Sequence, residues 1–133
     1  MIQKFRVLFL EEAAEFLDQV DQKAREKIIY NIRKSQVVND DELFKKLNAE
    51  IWEFRTLYKK LKYRLFAFWD KSDNTDTVVV AAHGLIKKTD KTPQTDLGKA
   101  EALRREYFEN KKIEEYEYRK EEVENILSGR NYR

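Results

Sequence analysis

Phe5, Val7 and Phe9 alternate with Lys4, Arg6 and Leu8, the period of a half-buried strand, and this pattern predicts a first strand at the start of the chain. From Glu11 the period lengthens. Leu17, Val20, Ala24, Ile28 and Ile32 recur at spacings of three and four, which predicts helix over about 11–35, with a break near Asp21. Glu11 and Glu12 open it, where acidic side chains complement the helix dipole. Asn39, Asp40 and Asp41 mark a turn, and either aspartate could cap a short helix running through Leu47. From Ile51 the period returns to two. Trp52 and Phe54 alternate with Glu53 and Arg55, and Tyr63, Leu65, Ala67 and Trp69 alternate with Arg64, Phe66 and Phe68. Two strands with a hairpin turn over Lys59–Lys62 follow from that. After the polar run Asp70–Asp76 comes Val78–Ala82, the most apolar stretch of the chain, read as the sheet's central strand, buried on both faces and carrying His83 to its end. Gly84 is expected to let the backbone leave the sheet. Beyond Pro93 the pattern is helical again, with Ala100, Leu103, Tyr107 and Phe108 on one side, then a thin stripe of Ile113, Tyr116, Val123 and Leu127 up to a stop at Gly129.

The β-α-β-β-β order predicts an α+β fold: a mainly antiparallel sheet with the N-terminal helices packed on one face and a C-terminal helix. With 133 residues, 41% of them hydrophobic, the expectation is a single domain, its core covering about residues 1–112 and a charged helical extension covering 113–133. Such an extension needs a surface to lie on.

Net charge is only +2, yet it is unevenly spread. Residues 51–93 carry 9 basic and 5 acidic side chains, whereas the segments before and after each carry 9 and 10. Arg55 to Arg64 holds five cations and no acid, interleaved with Tyr58 and Tyr63. Cations at that spacing among aromatics suit phosphates and unstacked bases, and a hairpin with a solvated lysine turn would read the same way. Zero cysteines exclude disulfides, thiol chemistry and cysteine zinc sites, and one histidine offers no partner ligand at regular spacing, so neither metal nor cofactor is expected. No apolar run approaches the roughly 20 residues needed to span a bilayer and no signal peptide is evident, which makes the cytoplasm the expected compartment.

In order, EEAAEFLDQVDQKAREKI, IWEFR, YRLFAFWD, AAHGLIKKTDKTP and AEALRREYF resemble the RelE/ParE superfamily of bacterial toxins, specifically its phage-related, HigB-type branch. The turn at Tyr58–Lys62 lacks the glycine common there, and the segment after Lys112 is longer than the family usually needs. The resemblance implies the toxin half of a type II toxin-antitoxin system: an endoribonuclease that cleaves messenger RNA on the ribosome, held by a cognate helix-turn-helix antitoxin. It implies that Arg55 and Arg64 fall where the family keeps arginine, and that Lys87, Lys88 and Lys91 match its KKT-x-KTP loop.

RNA cleavage by the neighbouring 2′-hydroxyl asks of a protein a base, an acid and cations for the added negative charge. Arg55 and Arg64 can offer forked donors to the phosphate. His83 and Lys87 are the candidates for proton transfer, and Glu53, on Arg55's side of its strand, is a third candidate or an ion-pair partner. Lys59, Lys60, Lys62, Lys88 and Lys91 are candidate RNA contacts, and Tyr63 a candidate for stacking a base. Two alternatives stay open: a ParE-like toxin that poisons gyrase by binding without chemistry, and a non-toxic phage or plasmid binding module of the same fold.

Overall fold

The computed structural model describes residues 2–74, 77–89 and 91–127, with the backbone alone at 115–116, 118–119, 122–123 and 126. Its elements run β1 (Arg6–Phe9), α1 (Glu11–Gln19), α2 (Gln22–Ser35), β2 (Phe44–Lys46), β3 (Trp52–Tyr58), β4 (Leu61–Asp70), β5 (Val78–Lys87) and α3 (Gln94–Leu127). Two compact units make up the chain, Met1–Glu101 and Ala102–Arg133.

The first unit is built on one five-stranded sheet in the order β1-β5-β4-β3-β2. Only β1 and β5 are parallel, a pairing possible because the long connection between them takes in α1, α2 and β2–β4; the other neighbours are antiparallel. The fold is therefore α+β, as the periodicity predicts. The expected break in the helical region is real. Asp21 ends it by accepting hydrogen bonds from the backbone N–H groups of Lys23 and Ala24, at 3.1 and 3.2 Å. Arg25 then donates to the carbonyls of Leu17, Asp18 and Val20, satisfying the open end of α1.

One face of the sheet packs on α1 and α2. Leu17, Ala24, Ile28 and Ile32 meet Phe54, Tyr63, Leu65, Ala67, Val79 and Ala81, with Phe5 and Phe44 closing the layer. Phe5, Phe44, Trp52, Phe54 and Trp69 stand ring against ring at one end. Behind this layer lies a second, because Phe66, Phe68, Val80 and Ile51 are also fully buried and Ala100, near the start of α3, is 0% exposed. That explains why β4 reads LFAFW with no polar alternation: both of its faces are covered.

Four expectations need correcting. No short helix follows Asp41; Asp40 caps only a turn, accepting from Glu42 N at 2.9 Å, and Phe44–Lys46 pair with β3 as an edge strand, which places Phe44 in the aromatic layer. The central strand is β4 and not the valine strand, which lies between β4 and β1. Phe9 is 38% exposed, so the half-buried pattern of β1 stops at Val7. Gly84 does not release the backbone from the sheet. It pairs with Leu65 in the middle of β5, and a Cβ there would lie 2.5 Å from Phe16 Cγ, so the missing side chain is what lets α1 lie this close. Gly84→Ala is expected to lower unfolding free energy by about 1–3 kcal/mol through overpacking, read by chemical denaturation.

The β3–β4 turn is also tighter than the four residues expected. Tyr58 pairs with Leu61, leaving only Lys59 and Lys60, both at positive φ, 48° and 67°. That is the twist of a type I′ hairpin, normally given to Asn-Gly or Asp-Gly, and it costs a lysine roughly 1 kcal/mol or more per residue.

In the second unit, the part of α3 from Ala102 onward, Tyr107 and Phe108 meet edge to face at 5.1 Å, while Arg104 lies 5.1 Å over Phe108 and Lys111 5.9 Å over Tyr107. Ile113 and Leu127 are 50% and 80% exposed. The stop expected at Gly129 lies outside the described residues.

Candidate functional site

A register shift decides which side chains of β5 face which way. Phe66 pairs with His83 but Ala67 pairs with Ala81, so Ala82 is an extra residue on β5, a β-bulge. Before it, Val79 and Ala81 point into the helix-covered core. Strict alternation would carry His83, Leu85 and Lys87 onto that same side. The bulge instead turns them to the opposite face, where Leu85 pairs across from Arg64 and Lys87 from Lys62.

On that face three strands form a grid. Glu53, Arg55 and Leu57 come from β3; Phe66, Arg64 and Lys62 stand opposite them on β4; His83, Leu85 and Lys87 complete it on β5. Glu53 is the lone acid in the grid and is almost fully buried. Its two carboxylate oxygens lie 3.6 Å from Arg55 Nε and 3.4 Å from Arg64 Nε. Neither approach makes a hydrogen bond, and Glu53 Oε1, Arg55 Nε and Arg64 Nε are buried without such a partner. Elsewhere each guanidinium is held by one carbonyl: Arg55 Nη1 donates to Asp41 at 3.2 Å and Arg64 Nη1 to Tyr63 at 3.0 Å. An open pocket of about 160 Å³ lies over them, lined by Glu42, Arg55, Thr56, Leu57, Lys62 and Arg64.

The balance of charge in this grid favours an anion, since Glu53 faces Arg55, Arg64, Lys62 and Lys87. Burial pushes the Arg64 pKa down, and Arg55 adds to the effect while Glu53 opposes it. Burial likewise lowers the Lys87 pKa, reinforced by Arg64, Arg55 and Lys62 against the pull of Glu53. Lys87 Nζ is steered by Thr92, whose hydroxyl accepts from it at 3.4 Å. A lysine so placed gives up its proton more readily than a solvated one.

His83 stands in the grid but away from the pocket. It is 3% exposed, stacks at 4.9 Å on Phe66, and its Nε2–H donates to the Asp96 carbonyl in the first turn of α3 at 3.0 Å, which fixes the tautomer. Burial holds its pKa below 6.5, with Lys99 acting the same way and the Asp96 carbonyl opposing. The folded state therefore binds fewer protons than the unfolded one. Stability from this residue is complete above about pH 6.5 and is lost as pH falls through that value toward the lowered folded pKa. His83→Gln is expected to flatten this acid arm of a stability-against-pH curve measured by thermal melting.

Of the residues singled out from the sequence, Arg55, Arg64, Lys62 and Lys87 come together here. Lys59 and Lys60 form the hairpin tip beyond the pocket, and Lys88 and Lys91 are exposed in the loop after β5. Tyr63 does not join them: it is 5% exposed and points into the helix-covered core, because its strand position has the parity of Leu65. Residues that the sequence alone did not single out are Glu42 and Thr56 in the pocket lining, and Asn31, whose amide donates to Thr56 Oγ1 at 3.1 Å from α2. Thr92 was legible as part of KKT-x-KTP, its hydroxyl contact was not. Among the described residues no three or more histidines, cysteines, aspartates or glutamates gather as a metal site would require, and no helix is long and apolar enough to cross a membrane.

The profile of the phage-derived Gp49-like proteins (DUF891) matches residues 15–105, more than half of the chain. The chain belongs to that family. The Gp49-like proteins are related to the toxin-like RelE group, and the match takes in every residue of the grid. No curated protein matches the chain.

Proposed function

We propose that this Gp49-like protein is the toxin of a type II toxin-antitoxin pair of the HigB kind, an endoribonuclease that cuts messenger RNA in the ribosome and is silenced by a helix-turn-helix antitoxin. The observation that carries the reading is the pair of guanidiniums, Arg55 and Arg64, which line one open pocket and share the single buried carboxylate of Glu53 between them. A phosphodiester oxygen is the acceptor such donors suit. The neighbouring 2′-hydroxyl attacks phosphorus and the bond to the 5′-oxygen breaks, with both arginines holding the oxygens on which charge accumulates. Lys87, its pKa lowered, takes the hydroxyl proton, and the leaving oxygen takes one from solvent. Glu53 keeps the two arginines apart and aimed.

His83 has no proton-transfer part in this scheme, because its Nε2–H is committed to Asp96 and its ring is buried. Expression of the chain alone should arrest growth, with messages cut only while they are translated. Arrest with intact messages and inhibited gyrase would point instead to a toxin that acts by binding.

A further inference from the structure

Lys59 and Lys60 occupy the two positions of the β3–β4 turn at positive φ, where a hairpin that needed only solubility would be better served by Asn-Gly or Asp-Gly. Strained positions kept at a cost concentrate where side chains do something. The residues around the turn say what. No acidic side chain occurs between Phe54 and Trp69. Lys62, two residues from the turn, lines the pocket over Arg55 and Arg64, and Leu57, paired across from it, is 64% exposed, with Leu61 at 46%. Lys59 Nζ lies 5.5 Å over the Tyr58 ring, which leaves the ammonium at the protein surface. A ladder of cations thus leads along one hairpin from Arg55 and Arg64 through Lys62 to the tip, with Leu57 beside it on the same face.

We infer that the hairpin tip is a second phosphate contact, in which Lys59 and Lys60 hold the backbone of the RNA strand as it leaves the pocket and Leu57 lies under a sugar or base. This rests on the RNA reading of the pocket. It also implies that the turn is stabilised less than it could be in exchange for two charges.

The test uses the full chain and a mixed-sequence, single-stranded RNA oligonucleotide with 2′-O-methyl groups, which cannot be cut by its own hydroxyls. Lys59→Asn with Lys60→Gly relieves the backbone and is expected to raise the melting temperature by roughly 5 °C. The same variant should flatten the dependence of log affinity on log salt by about 1.4, near 0.7 for each single-strand phosphate that is no longer neutralised. Lys59→Gln with Lys60→Gln should flatten it equally without the gain in melting temperature. Lys23→Gln with Lys27→Gln, two exposed α2 lysines, should leave it unchanged. An unchanged slope in the turn variants, an equal loss in the α2 variant, or an Asn-Gly turn no more stable than wild type would overturn the inference while leaving the pocket reading in place. Absence of salt-dependent binding by the wild-type chain would overturn both.

Discussion

Arg55→Lys is expected to leave a folded protein that cleaves RNA roughly 10²-fold or more slowly, the scale of losing one preorganised donor in a transition state. The substitution keeps the charge and removes the fork. In the wild type, Arg55 is anchored through Nη1 to the Asp41 carbonyl, and its Nε–H is buried with no hydrogen bond of its own. A lysine could reach one phosphate oxygen, but a single flexible ammonium cannot hold two oxygens in a plane. The side chain of Arg55 is 24% exposed and that of Arg64 only 6%, so Arg55 is the member of the pair that can be changed with less damage to the fold. The measurement is single-turnover cleavage on translating ribosomes, with melting temperatures alongside. Equal rates in both proteins would show that charge alone suffices.

Glu53→Leu is the change expected to cost most in stability, about 3–5 kcal/mol, the scale of leaving a buried charge without its partner. Glu53 is 2% exposed and sits between two guanidiniums. Without it, Arg64 loses the interaction that most opposes the lowering of its pKa, and it remains next to Arg55 in a poorly solvated place. Glu53→Gln retains the shape and an acceptor oxygen and should lose less. Urea denaturation of the three proteins orders them; a Leu variant as stable as wild type would mean that the carboxylate is not what holds the arginines together.

The periodicity of the chain carried most of the fold. The stripe Leu17, Ala24, Ile28, Ile32 and the alternation through Phe54 and Leu65 describe the helix-covered layer as it is. The second layer was not legible in the same way, because Phe66 and Phe68 sit at positions that alternation assigns to solvent and only their complete burial in the structure shows they are covered. Arg55, Arg64 and Lys87 stood out as cations among apolar residues. That Lys87 belongs on their face follows from one extra residue at Ala82, and a bulged alanine at the end of an apolar run leaves no mark in the period. His83 looked like the natural proton carrier because it is the lone histidine; its hydrogen bond to Asp96 depends on where α3 begins, which no local pattern specifies.

The reading of this Gp49-like protein as an RNA-cleaving toxin stands or falls on the ends of the fragments it makes. Messages recovered from a translating extract supplied with the purified wild-type chain should carry new 2′,3′-cyclic phosphate and 5′-hydroxyl ends, the products of attack by the neighbouring 2′-hydroxyl. Intact messages, or fragments ending in 3′-hydroxyl and 5′-phosphate, would contradict it.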